Sequence, residues 1–172
     1  LKKILAQITN PRQVASDNGI AGTKAIPQEI AALRYNLTTA EINRVKLLAK
    51  TIEQVFGTIC RHIVRPGLTE LQVAGLMKAE LYKSNINSIV TLVAADKRIA
   101  QYRHPLPTEN KIKKYVMLVT CARRDGLIIA MTRLVHFGKL TEELRNKHLA
   151  VCTIDATLTA NTLIGTAVKN IF

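Results

Sequence analysis

From Leu37 to Phe137 the apolar positions follow first a helical period and then an alternating one. Ile42, Val45, Leu48, Ala49, Ile52, Val55, Phe56, Ile59 and Ile63 recur about every three to four residues, which predicts an amphipathic helix of roughly seven turns that Pro66-Gly67 stops. Its start is marked by a capping box, Thr38-Thr-Ala-Glu41, in which the Thr38 hydroxyl can accept from the Glu41 amide while the carboxylate reaches back, with Leu37 and Ile42 as the hydrophobic staple. The same device returns at Thr69-Glu-Leu-Gln72, with Leu68 and Val73 as staple, and predicts a second helix through Val73, Leu76, Met77 and Leu81. After Ser84-Asn85 the period changes. Ser88–Ala94 reads as a strand, and Tyr102–Thr108 as a loop stiffened by two prolines. Two β-rich runs, Tyr115–Ala122 and Leu127–Phe137, flank Arg123-Arg124-Asp125-Gly126 and predict a β-hairpin with an Asp-Gly turn. Thr141 then caps a third helix, with Glu142 and Glu143 in its first turn and helical spacing up to about Gly165. Residues 1–37 break every period at Asn10-Pro11, Asp17-Asn18-Gly19, Gly22 and Pro27. They read as an extended linker in which Leu1–Ile8 could form a short helix. The order helix, helix, strand, hairpin, helix predicts an α+β fold, with helices on one face of an antiparallel sheet.

Composition narrows the class. With 172 residues and 48% hydrophobic content the chain has room for one core with an appendage. The widely spaced Cys60, Cys121 and Cys152 suggest neither a disulfide framework nor structural zinc, which fits a reducing, cytoplasmic setting. No apolar run reaches the roughly 18 residues that span a bilayer, so no membrane partner is expected. The net charge of +13 is spread from Lys2 to Lys169, and its densest cluster, Lys111, Lys113 and Lys114, has only Tyr115 beside it. With 4% aromatic residues and no tryptophan, a nucleic-acid platform is not expected.

The hairpin is also specific in detail. Cys121-Ala-Arg-Arg-Asp-Gly-Leu-Ile-Ile-Ala-Met-Thr-Arg133, followed by Gly138, resembles the central hairpin of the creatinase, Xaa-Pro peptidase and methionine aminopeptidase family, the pita-bread metallopeptidases. The Pro66-Gly-Leu-Thr-Glu70 junction is similar to that family's as well. The resemblance implies half of a pita-bread fold: residues 1–37 as the linker or end of an amino-terminal creatinase-like domain, with a strap around Gln28–Arg34, and residues 38–172 as the first half of the peptidase-like domain. It implies that the second half is missing from this chain, together with the family's remaining metal ligands, and that the exposed surface drives homo-oligomer formation. In the family the hairpin carries two metal-binding aspartates, eleven residues apart. Those positions here are Val119 and Ala130. Neither side chain can bind a metal, so no cofactor is expected. The resemblance further assigns His104, in the loop before the hairpin, to substrate binding.

The residues themselves agree with that chemistry. A dinuclear centre needs several carboxylates, because hard divalent ions are held by oxygen ligands. From Ser84 to Gly138 the chain offers only Asp96, Glu109 and Asp125. His148 and Asp155 share a helix side, an arrangement that more often belongs to a hydrogen-bonded face than to a metal site. Cys121 with His104 lacks an orienting third group and an oxyanion hole, so no catalytic residue is assigned. The expectation is a pseudo-enzyme of the Xaa-Pro peptidase fold that binds a peptide or a small amidino or amide ligand in the old cleft. The alternative is an active Xaa-Pro dipeptidase or aminopeptidase, or a metal-independent creatinase-type hydrolase, in the full-length protein. Strand alternation adds one more expectation. Arg133 should point toward the covering helices, away from Ala130 and Thr132, and be buried there against carboxylates or backbone carbonyls.

Overall fold

The structure, a computed structural model, describes residues 1–171 and divides into two compact units, residues 1–50 and the part from Thr51 onward. In the first unit the short helix expected over Leu1–Ile8 forms as α1 (Lys2–Ile8). The rest, expected to be extended, is instead built from two 3-10 turns, a parallel pair β1 (Ala15–Ser16) and β2 (Lys24–Ala25), and α2 (Pro27–Tyr35). Glycines allow the tight turns: Gly19 and Gly22 take φ of 67° and 82°, where a side chain would strain the backbone. Pro27 opens α2 from its first turn, a position where proline lacks nothing the helix needs. The capping box forms as expected: Thr38 N donates to Glu41 Oε2 at 2.7 Å and Glu41 N to Thr38 Oγ1 at 3.2 Å.

The long helix α3 (Thr39–Thr58) continues into a π-helical turn at Ile59–Ile63. From Thr51 onward its apolar face is fully enclosed at Ile52, Phe56 and Ile59. α4 (Glu70–Lys83) carries the second capping box, with Thr69 Oγ1 accepting from Gln72 N and Gln72 Oε1 accepting from Thr69 N. It buries Val73, Ala74, Met77 and Leu81 and packs on β3 (Asn87–Ala95). Leu76, counted with that face from the sequence, is 39% exposed. After a one-turn helix α5 (Arg98–Gln101) come β4 (Tyr115–Arg124) and β5 (Leu127–His136), and the antiparallel sheet has the order β3-β4-β5. The hairpin closes on Asp125 and Gly126, both left-handed at φ 53° and 80°, the two-residue turn that Asp-Gly favours. On β4, Val116, Leu118, Thr120 and Ala122 are buried, and their neighbours Tyr115, Met117, Val119 and Cys121 are half-buried. A bulge between Ser88 and Val90 lets Ser88 Oγ share hydrogen bonds with Thr91 Oγ1 and with the otherwise enclosed Thr120 Oγ1, at 2.7 and 2.8 Å. α6 (Glu142–Asn161) follows, capped by Thr141, with most of its surface open, including Leu149, Val151 and Ile154.

Two carboxylates hold the long connection between β3 and β4. Glu70 is fully buried, yet each oxygen is satisfied. Oε1 accepts from Ala95 N (2.8 Å) and Arg98 Nε (3.0 Å), and Oε2 from Thr108 N (2.9 Å) and Thr108 Oγ1 (2.8 Å). Asp96 accepts from the amides of Lys113, Lys114 and Tyr115. Removing one partner from a buried charged network leaves the others desolvated and unpaired. Glu70→Ala is therefore expected to lower the unfolding free energy by roughly 3–5 kcal/mol. Urea denaturation of the full-length protein measures it, and a loss below about 1 kcal/mol would mean that the backbone bonds hold the loop unaided.

Candidate functional site on the open face of the hairpin

One face of the sheet meets helices and the other is open. Because side chains alternate along a strand and paired residues share a face, the register Leu118↔Arg133, Thr120↔Met131 and Ala122↔Ile129 sends Arg133 and Met131 to the helix side. Val119↔Thr132 and Cys121↔Ala130 face the other way. Val119 and Ala130 thus lie on one face as diagonal neighbours of adjacent strands, whose separation is typically about 7–8 Å. The strand order brings together the two positions singled out in the sequence, and both are hydrocarbon.

The open face runs on toward the base of the hairpin into an apolar groove of about 640 Å³ between Tyr115, Leu134 and His136 on the strands and Leu144, His148 and Val151 of α6. Tyr115 and His136, cross-strand partners, place their rings 5.9 Å apart. Burial pushes the Tyr115 phenol up from its usual pKa. His136 Nδ1 is enclosed and has no hydrogen-bond partner among the described residues, a polar group at the edge of an apolar space. The sequence reading missed His136. Its only signal was a histidine interrupting the β5 pattern.

His104 lies on the loop between α5 and β4, exposed and without a hydrogen bond among the described residues. What the sequence did not reveal is the scaffold beneath it. Arg98, bound to Glu70, donates from Nη2 to the Leu106 carbonyl at 2.9 Å and stacks its guanidinium 5.0 Å from the Tyr102 ring. Cys121 is half-buried opposite Ala130, and no bond joins it to His104 among the described residues. On α6, His148 Nε2 lies 3.5 Å from Cys152 Sγ, and Asp155 takes no part. Among the described residues no group of three or more His, Cys, Asp or Glu side chains could hold a metal ion.

Arg133 corrects an expectation. Its face is the predicted one, but it is exposed, and its guanidinium donates to the Thr132 carbonyl at 2.9 Å rather than to a carboxylate. The helix-side residues of β4 are enclosed, whereas on β5 Arg133 stays open to solvent at the sheet's rim.

Residues 43–171 match the model of metallopeptidase family M24. The chain belongs to that family. Its fold is half of the pita-bread fold. An X-Pro aminopeptidase from Thermotoga maritima aligns at a TM-score of 0.72 with 18% identity, covering 91% of this chain and 49% of that one. A prolidase from Pyrococcus furiosus aligns at 0.73 with 16% identity over 92% and 51%, and a dipeptidase from Pyrococcus horikoshii at 0.78 with 19% identity over 99% and 52%. The M24 chain thus spans about half the length of these solved structures. No curated protein matches it.

Family M24 implies a metal, and the hairpin does not fit one. Val119 and Ala130 supply no lone pair, Thr132 and Cys121 beside them supply at most a hydroxyl and a thiol, and hard divalent ions need carboxylate oxygens. No chemical step through a metal is derived for these residues.

Two outcomes test this geometry. His104→Ala should change stability by less than about 0.5 kcal/mol, as for an exposed side chain without partners; a larger loss in thermal melts would show that the loop leans on it. In the second, burial raises the Cys60 thiol above its ordinary pKa even though Arg133 and Arg61 oppose the shift. Only the thiolate reacts, so Cys60 should be alkylated by iodoacetamide at neutral pH more slowly than the exposed Cys152. Peptide mass spectrometry resolves the two, and equal rates would contradict the enclosure of Cys60.

Proposed function

We propose that the full-length protein is an Xaa-Pro peptidase-like member of M24 that has given up metal-dependent hydrolysis and uses the open face to bind a peptide. The observation that carries this reading is the pair Val119 and Ala130, hydrocarbon side chains on one face of adjacent strands. The groove beside them favours a peptide with an apolar side chain, which its hydrocarbon lining would cover. His104 is the further candidate contact, on the strength of the family resemblance. A small amidino or amide compound is the lesser candidate, since it would leave much of the groove unfilled.

The same reading extends to organisation. We take residues 1–37 as the linker or end of an amino-terminal creatinase-like domain and residues 38–172 as the first half of the peptidase-like domain, completed by a second half and self-associating into a homo-oligomer. No helix among the described residues is long and apolar enough to cross a membrane, and a cytoplasmic setting fits the three free thiols.

The test is elemental analysis of the purified full-length protein with turnover of Xaa-Pro peptides. The expected result is substoichiometric manganese, cobalt and zinc, no hydrolysis with any of them added, and saturable binding of an Xaa-Pro peptide that Leu134→Glu weakens by about tenfold or more, as for a charge placed in an apolar pocket. Stoichiometric metal with Xaa-Pro cleavage would restore the active-peptidase reading. Hydrolysis without metal would point to creatinase-type chemistry.

A further inference from the structure

A cavity of about 390 Å³ opens on the helix side of the sheet, and its lining includes Glu53, Phe56, Cys60, Arg61 and Arg133. Arg61 and Arg133 therefore line one recess, both as exposed side chains. Arg61 folds back over Gly57 so closely that a β-carbon at that residue would stand 2.7 Å from Nη2. A β-carbon there would move the guanidinium aside, which the flexible Arg61 side chain allows. Arg133 is tethered through Nη1 to the Thr132 carbonyl. Among the described residues Arg61 has no hydrogen-bond or ion-pair partner, and neither arginine meets a carboxylate. Glu53, the one acidic residue in the lining, is exposed and pairs with neither. The positive field reaches Cys60, where both arginines oppose the upward pull of burial on the thiol.

Two cations lining one recess with a single unpaired carboxylate, Glu53, favour an anion there, and guanidinium forks match the paired oxygens of a carboxylate. Phe56 and Cys60 lend the recess an apolar wall, which the carbon stem of an organic acid would cover and a hydrated inorganic ion would leave bare. We propose that Arg61 and Arg133 form a carboxylate-binding site on the helix side of the sheet. It lies across the sheet from Val119 and Ala130, so it does not depend on how the open face is used. The carboxylate comes either from a free organic acid or from an acidic side chain of the assembled protein.

The experiment uses the full-length protein and an R61Q/R133Q variant, with succinate as the probe. The readouts are the melting temperature and the alkylation rate of the Cys60 peptide. For a free acid, succinate raises the wild-type melting temperature and slows Cys60 alkylation by about threefold or more, since occupancy covers the thiol and cancels the field that favours its thiolate. Both effects vanish in the variant. For a protein carboxylate, succinate does nothing, and the variant melts several degrees lower with Cys60 alkylated faster despite the loss of two cations. Succinate without effect, together with a variant that melts at the same temperature or higher, overturns the proposal, because that is the result of removing two uncompensated like charges. If the double variant does not fold, R61Q alone is read in the same way.

Discussion

Glu70 is a carboxylate with no solvent exposure at the first position of α4, and most of the second unit's order can be traced to what it accepts. An isolated charge there would be prohibitive. It is tolerated because backbone amides at Ala95 and Thr108, the Thr108 hydroxyl and the Arg98 guanidinium all converge on it, and because the first turn of a helix favours an anion. These bonds join the start of α4, the end of β3 and the loop that follows. The loop's backbone is then laid along the helix start: Leu71 N donates to the Thr108 carbonyl, Glu70 N to that of Asn110 and Gly67 N to that of Ile112. Asp96, in a left-handed conformation that aspartate tolerates, gathers the amides of Lys113, Lys114 and Tyr115 and so sets where β4 begins. A strand started one residue later would turn every side chain of the hairpin to the other face.

That dependence matters because the two faces carry different side chains. With the observed register Val119, Cys121, Ala130 and Thr132 face the open side, while Leu118, Thr120, Met131 and Arg133 face the helices. The helices, hairpin and caps of this half of the M24 fold form around an open face whose Val119 and Ala130 carry no oxygen. Packing residues and open-face residues occupy alternate positions of the same strands, so substitutions on the open face can leave the packing untouched.

The excess of 25 Lys and Arg over 12 Asp and Glu also acquires a structure. Two of the few carboxylates, Glu70 and Asp96, are consumed internally, mainly by backbone amides. The surface is thereby left more basic than the composition alone implies. In the basic cluster near residue 113 the amides of Lys113 and Lys114 serve Asp96, and Tyr115 is half-buried against His136 rather than available for stacking.

Local signals determined much of this protein. The two capping boxes, the Asp-Gly turn, the helical and alternating periods and the Thr141 cap each depend on residues within a few positions of one another, and the elements they mark form where the sequence places them. The shared face of Val119 and Ala130 was legible for the same reason, since alternation along a hairpin with a known turn settles it. Of residues 1–37 only the short helix at Leu1–Ile8 was legible, because Pro and Gly announce breaks without saying what short elements fill the space between them. Tertiary structure alone decided the burial of Glu70, whose donors lie 25 to 40 residues away, and the exposure of Arg133. Alternation gives a side chain its face, but only the packed structure says how far that face is enclosed at each position.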